Sequence, residues 1–111
     1  MKPGDKLVVV VREDLPPGDQ LAQACHAAQR YCFEHREAAE YWHGVSNTIA
    51  ILACQNEPAL TALLDAATTK GIKISHFREP DLGDSLTALC LEPSSRTRKL
   101  CWHLPLALRG A

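Results

Sequence analysis

Polar and ionisable side chains recur at helical spacing in the segment that begins at Asp19. One face of the predicted helix holds four of them, Asp19, Gln23, His26 and Arg30. The imidazole of His26 can accept and donate a proton, and the amide of Gln23 can orient a substrate or a neighbouring loop. Each residue also has a structural alternative, such as a packed histidine, an amide that holds a turn, or Asp19 as the N-cap of the helix.

Three further carboxylates lie in predicted loops. Asp14 follows an apolar strand and precedes two prolines. Glu79 and Asp81 flank Pro80 between two predicted strands. Carboxylates at such positions can accept or orient a proton, although they can equally cap a turn or be solvated. We expect the loops that carry these acids to meet His26 at one edge of the sheet, because strand ends of open α/β sheets collect ligand-binding loops.

The cysteines and histidines predict neither a disulfide framework nor a metal site. The five cysteines are odd in number and form no C-x-x-C pair, and the histidines show no metal-ligand spacing with acids or cysteines. Cys25 precedes His26, but adjacent helical side chains point about 100° apart, so the two cannot form a nucleophile and base pair. We interpret the cysteines as small buried hydrophobic residues, namely Cys25, Cys32, Cys54, Cys90 and Cys101.

The overall charge argues against general nucleic-acid affinity. The formal net charge is −1, and phosphate binding draws mainly on lysine and arginine. After Pro93, however, the chain has no acidic residue and carries four basic ones, Arg96, Arg98, Lys99 and Arg109. This segment predicts either a local nucleic-acid contact or a solvated helix face.

Composition and length indicate one globular domain over residues 1–111. Hydrophobic residues make up 46% of the chain and charged residues 23%, and a chain of 111 residues divided in two would leave each half with too small a core. The sequence shows no signal-peptide pattern and no apolar run of membrane length, so we expect a cytoplasmic protein. The apolar run 104–108 covers either the core or a partner surface.

Hydrophobic periodicity predicts the order β-α-α-β-α-β-β-α. The β-branched run at 7–11 is typical of a central strand, and 48–54, 72–77 and 85–91 are further strands, of which 48–54 is also expected to be covered on both faces. Helices are expected over 19–35, 36–43, 57 to about 70 and 95–103. The first helix has an apolar stripe at Leu21, Ala24, Cys25, Ala28 and Cys32. The order predicts an α/β three-layer sandwich, a four-stranded mixed β-sheet with helices on both faces.

Three segments resemble a known family: residues 6–15 (KLVVVVREDL), 22–27 (AQACHA) and 86–93 (LTALCLEP). The R-x-D-L loop followed by A-Q-x-x-H-A is similar to the type II peptidyl-tRNA hydrolases, and the order of the segments agrees over nearly the whole chain. The resemblance implies hydrolysis of the ester bond between a peptide and tRNA, which recycles tRNA for translation without a metal or an organic cofactor. It also implies peptidyl-tRNA or a related acylated tRNA as the partner, and it is compatible with a homodimer.

Together with the chemistry above, the resemblance assigns site roles to residues of this chain. The catalytic candidates are His26, Glu79, Asp81 and Asp19. The candidates for substrate binding are Asp14, Gln23, Arg30, Thr87, Arg96, Arg98 and Lys99. Thr87 is first of all a strand residue and enters this set through the resemblance.

The chain departs from the family at two places. Family members have a lysine after the glycine of the strand-to-helix loop, where this chain has Gly18-Asp19, and residues 78–83 (REPDLG) replace their D-A-G-R-T-Q segment. In these features it resembles the divergent branch of peptidyl-tRNA hydrolase domain-containing proteins, which share the A-Q-A-C-H-A run. Three functions therefore stay open: hydrolysis of peptidyl-tRNA, a non-catalytic tRNA- or protein-interaction module, and hydrolysis of a smaller ester or amide.

Overall fold

A computed structural model describes residue 2 and residues 4–110 of the chain. Met1, Pro3 and Ala111, which the predicted domain of residues 1–111 includes, lie outside the described residues. The elements along the chain are β1 (Leu7–Arg12), α1 (Pro17–Glu34), α2 (Arg36–Val45), β2 (Ile49–Cys54), α3 (Glu57–Thr69), β3 (Ile74–Glu79), a short 3-10 helix (Pro80–Leu82), β4 (Ser85–Leu91) and α4 (Ser95–Cys101).

The four strands form one mixed sheet in the order β2-β1-β4-β3. β1 and β2 are parallel, and β4 is antiparallel to both of its neighbours, β1 and β3. The last residues of β1, β2 and β3 therefore lie at the same edge as the first residues of β4. We call this the carboxyl edge, and we call the opposite edge, where β1 begins and β4 ends, the amino edge.

The sheet separates two apolar cores. Val9 and Val11 of β1 face α1 and α2, whereas Val8 and Val10 face α3 and α4. Alternation of this kind follows from the two-residue period of a strand, and it makes β1 buried on both sides. The predicted architecture is confirmed: the strand and helix order, the mixed four-stranded sheet and the helices on both faces are all present.

The predicted buried face of α1 is wrong by about one residue of helical rotation. Leu21 is 56% exposed, and Cys25 and Cys32 are exposed too. The residues that face the sheet are Gln20, Gln23, Ala24, Ala27 and Tyr31. The helix carries two overlapping stripes, and the one with two alanines and a long tyrosine packs on the sheet because small residues allow close approach. The burial predicted for cysteines therefore holds for Cys54, Cys90 and Cys101 and fails for Cys25 and Cys32.

The start of α1 also differs from the prediction. The helix begins at Pro17, which needs no N–H partner at that position, and the N-cap residue Pro16 makes no side-chain hydrogen bond. Asp19 therefore lies inside the first turn and is not the N-cap. By contrast, Asn56 is the N-cap of α3, because its side chain accepts a hydrogen bond from the backbone N–H of Ala59 at 3.0 Å.

β2 is an edge strand that is only partly covered, not the fully buried strand that its apolar sequence predicts. Its outer side pairs with the C-terminal apolar run through a bridge between Leu52 and Leu106. The N–H of Ala53 donates to the carbonyl of Pro105, and the N–H of Ala107 donates to the carbonyl of Ile51, both at 2.9 Å. The C-terminal run thus covers this strand of its own sheet.

Candidate active site at the carboxyl edge

A chain of hydrogen bonds joins α1, β4 and β3 at the carboxyl edge. The Gln23 amide nitrogen donates to Glu79 Oε1 at 2.9 Å, and the Gln23 amide oxygen accepts from the Thr87 hydroxyl at 2.6 Å. Gln23 is only 3% exposed and Thr87 is fully buried. The Glu79 carboxylate only accepts hydrogen bonds, so it requires the amide nitrogen of Gln23 and leaves the amide oxygen for the Thr87 hydroxyl, which also lies 3.3 Å from the carbonyl of Phe77.

An irregularity in the β3 and β4 pairing aims Thr87 at Gln23. Phe77 pairs with Ala88, but the next residue, Arg78, pairs with Leu86, so Thr87 has no partner on β3. In such a bulge two consecutive side chains can lie on one face of the sheet. Ala88 packs in the core on the α1 side, and the Thr87 hydroxyl reaches the same side.

Glu79 is held as a carboxylate at the end of β3. Its second oxygen accepts a hydrogen bond from the backbone N–H of Asp81 at 3.3 Å, which also caps the 3-10 helix. The hydrogen bond from Gln23, then that from Asp81, and the positive charge of His26 lower the pKa of Glu79 below its ordinary value. Glu79 therefore accepts hydrogen bonds at neutral pH and does not serve as an acid.

His26 lies about one helical turn after Gln23 on α1, and its ring is exposed. It stacks on Phe77 of β3, with ring centroids 4.5 Å apart and planes within 15° of parallel. Stacking of this kind restricts the ring without using either of its nitrogens. An imidazole, a fixed carboxylate and a fixed amide thus share one small region at the carboxyl edge, which is a set of groups suited to moving a proton.

Asp14 has a bidentate partner at the same edge. Arg12 Nε and Nη2 each lie 3.0 Å from one of its carboxylate oxygens, and Arg12 Nη1 donates to the carbonyl of Leu86 at 3.1 Å. The hydrogen bond from Arg12 lowers the pKa of Asp14. Arg12 therefore ties the end of β1 to the start of β4, and the Asp14 oxygens already have a cationic partner.

The structure divides the predicted site residues into two groups. At the carboxyl edge it brings together Gln23, His26, Glu79 and Thr87. At the same edge Asp14 follows β1, Asp19 lies in the first turn of α1, and Asp81 lies in the 3-10 helix. Arg30 lies further along α1 and pairs with Glu34 at 3.2 Å. Arg96, Arg98 and Lys99 lie on α4 near the amino edge, where Arg98 pairs with Asp5 at 2.7 Å. Glu79 thus lies near His26, and the basic segment is separate from both.

Sequence reasoning missed two residues of this region, Arg12 and Phe77. The spacing of Arg12 and Asp14 contains the signal, because side chains two apart along an extended chain lie on the same side. The contact between Phe77 and His26 depends on which strand packs under α1, which no local pattern specifies. Within residues 2 and 4–110, no cluster of three or more metal-ligating side chains occurs.

The family model Peptidyl-tRNA hydrolase PTH2 matches residues 5–106, which include every strand and helix described above. The chain belongs to this family. The match confirms the resemblance drawn from the sequence, and membership indicates a hydrolase related to peptidyl-tRNA hydrolases. No curated protein matches the chain. In the part of this PTH2 chain that the structure describes, no helix has the length and apolarity needed to span a membrane.

Proposed function

We propose that the protein hydrolyses the ester bond of peptidyl-tRNA or a related acylated tRNA and releases free tRNA in the cytoplasm. One observation carries the proposal: the hydrogen-bonded chain of Thr87, Gln23 and Glu79 lies beside the stacked ring of His26 in a member of the PTH2 family. Buried polar side chains that fix one another in this way hold an exposed group in a defined position.

His26 acts as the base in this proposal. Its free ring nitrogen accepts a proton from a water molecule while the water oxygen attacks the ester carbonyl carbon. The bond between that carbon and the ribose oxygen then breaks, and the ribose oxygen takes the proton from the imidazolium. The peptide leaves as a carboxylic acid that releases its remaining proton to solvent, the tRNA leaves with a free hydroxyl, and the enzyme returns to its starting state.

Glu79 and Gln23 position and support His26. The carboxylate supplies a negative charge near the ring when the ring holds the extra proton. Gln23 holds that carboxylate in place from inside the protein, and Thr87 holds Gln23. We assign Thr87 a positioning role, since a fully buried hydroxyl that already donates to Gln23 has no access to a substrate.

Asp19 constrains how the substrate is presented. An acid in the first turn of α1 interacts favourably with the helix dipole, but it repels phosphate and a developing oxyanion. The neutral ester end of the substrate suits this region better than the phosphates of the tRNA do. The same residue also favours a second candidate function, a non-catalytic interaction module, because it stands where family members have a lysine.

The deciding experiment measures peptide release from a model peptidyl-tRNA by the purified protein, with a free N-acyl amino-acid ester as the comparison substrate. Activity on the tRNA ester that is lost in His26→Ala and retained in His43→Ala supports the proposal. His43 is the matched control because it is an exposed histidine on α2 and engages Asn47 away from the cluster. Release from the small ester alone indicates a smaller substrate. No release from either substrate by the folded protein supports the interaction module.

A further inference from the structure

Acids and bases are unevenly distributed between the two edges of the sheet. Acids predominate at the carboxyl edge, where Arg12 and Arg78 lie among seven of them: Glu13, Asp14, Asp19, Glu57, Glu79, Asp81 and Asp84. Bases predominate at the amino edge, where Asp5 and Glu92 lie beside Lys6, Lys70, Lys73, Arg96, Arg98 and Lys99. A net charge of −1 conceals this separation. A polyanion that approaches the protein is attracted to the amino edge and repelled from the candidate active site.

The basic side chains of the amino edge differ in whether they already have a partner within the protein. Arg98 is fixed by its 2.7 Å pair with Asp5, and Arg96 donates to the carbonyl of Lys70 at 2.7 Å. Lys70 and Lys99 are exposed, and across residues 2 and 4–110 their ammonium groups form no salt bridge. The two arginines thus hold α4 in place, and the two lysines are free to meet an external anion.

An exposed aromatic side chain accompanies these cations. Trp102, directly after α4, is 79% exposed, which is unusual for the largest apolar side chain. It borders a cavity of about 210 Å³ whose wall includes Lys6, Val8 and Leu52. Lys99 lies three residues before Trp102, which is about one helical turn, and together with Lys70 and His103 it lines an open depression of about 610 Å³. Flat aromatic rings beside lysines are typical of surfaces that bind single-stranded nucleic acid, where rings stack on bases and cations hold phosphates.

We propose that the surface formed by Lys70, Lys99 and Trp102 binds RNA, with the lysines on backbone phosphates and the Trp102 ring on an unpaired base. That this RNA is tRNA rests on the proposed function. β1 covers six residues between the two edges, which corresponds to roughly 20 Å at about 3.3 Å per residue. The single-stranded 3′ end crosses this distance and brings the ester to His26, while the acids of the carboxyl edge keep the phosphates away.

The test measures the affinity of the full chain for deacylated tRNA by fluorescence anisotropy over a series of salt concentrations. Lys70→Ala combined with Lys99→Ala is expected to reduce the slope of log K against log salt by about 2, one unit per lost phosphate contact. Trp102→Ala is expected to weaken binding roughly 5- to 100-fold through lost stacking, and Trp102→Phe to retain most of the affinity. The matched controls are Arg36→Ala for charge and Phe33→Ala for an exposed aromatic, since Arg36 is exposed on α2 and Phe33 is 69% exposed on α1.

Deacylated tRNA contains no ester, so this test is independent of catalysis. If the lysine and tryptophan variants weaken binding while no form hydrolyses peptidyl-tRNA, the RNA surface stands and the proposed function fails. If hydrolysis is normal while the variants and the controls bind tRNA equally, the proposed function stands and the RNA surface is overturned. Equal binding of polyglutamate, with no effect of Trp102→Ala, also overturns it and indicates an acidic protein partner. Circular dichroism melts confirm that each variant is folded.

Discussion

Replacing Thr87 with valine removes one hydroxyl from the centre of the proposed site and almost nothing else. Valine keeps the volume and the β-branched shape, so the core packing around β4 persists. The Gln23 amide oxygen then loses a donor at 2.6 Å in a side chain that is only 3% exposed. An unsatisfied buried acceptor costs about 1–3 kcal/mol.

Reorientation of Gln23 does not remove this cost. If the amide turned to relieve its oxygen, that oxygen would face the Glu79 carboxylate, which now accepts from the amide nitrogen at 2.9 Å. We therefore expect the free energy of unfolding to fall by about 1–3 kcal/mol, or the melting temperature by roughly 4–12 °C for a domain of this size. We also expect kcat/KM for peptidyl-tRNA to fall by about tenfold, since loosening Glu79 weakens its support of His26 by an amount near 1.4 kcal/mol.

Thermal melts and steady-state hydrolysis measure the two effects, and Thr87→Ser is the control. Serine keeps the hydroxyl and lacks one methyl group, so it loses some packing energy but retains the hydrogen bond. The expected pattern is that Thr87→Ser preserves kcat/KM even where its melting temperature falls. If Thr87→Val leaves both the melting temperature and kcat/KM unchanged, the hydroxyl does not position Gln23 and the proposed chain of support is incorrect.

Three further predictions concern charge and exposure. Asp19→Lys is expected to raise peptidyl-tRNA hydrolysis about tenfold or more, because an ammonium in the first turn stabilises an oxyanion that a carboxylate repels. A fall in activity would instead assign Asp19 a part in the native reaction. The pKa of Glu79 is lowered on folding, so this residue contributes stability above its ordinary value of 4.5 that is lost as pH falls through its folded pKa. The stability of Glu79→Gln in denaturant melts should therefore depend less on pH below 4.5 than the stability of the native chain does. If the two depend equally on pH, Glu79 does not contribute to the pH dependence of stability. Titration with a thiol reagent should find Cys25 and Cys32 reactive in the folded state, since these two are exposed. Burial raises the pKa values of the other three thiols, which should react only after unfolding: Cys54, Cys90 and Cys101. If more than two thiols react quickly with the reagent in the folded state, the described packing is wrong.

The sequence predicts the scaffold of this protein better than the contacts of its candidate site. β1 and β4 could be predicted because a continuous run of β-branched and apolar residues is typical of a buried strand. The buried face of α1 could not be predicted. The expected and the observed face differ by a rotation of only about one residue, and only contact with the sheet selects between them. The contact of Gln23 with Glu79 spans 56 residues and depends on β4 lying between β1 and β3. The bulge at Thr87 has no local signal, because no glycine or proline marks it within the apolar run of β4.

The pairing of the C-terminal run with β2 bears on solubility. An open strand edge offers free N–H and C=O groups as a template for another chain, and this protein closes one such edge with its own residues. A chain cut before Pro105 would free the N–H of Ala53 and the carbonyl of Ile51, which the C-terminal run now satisfies. The flanking apolar strand would then be a site for edge-to-edge aggregation. At the other side of the sheet β3 has no such cover among the described residues, and the charge of Arg78 and the exposed His76 discourage association there. One sheet thus protects its two margins by different means, a strand mimic on one side and polar side chains on the other.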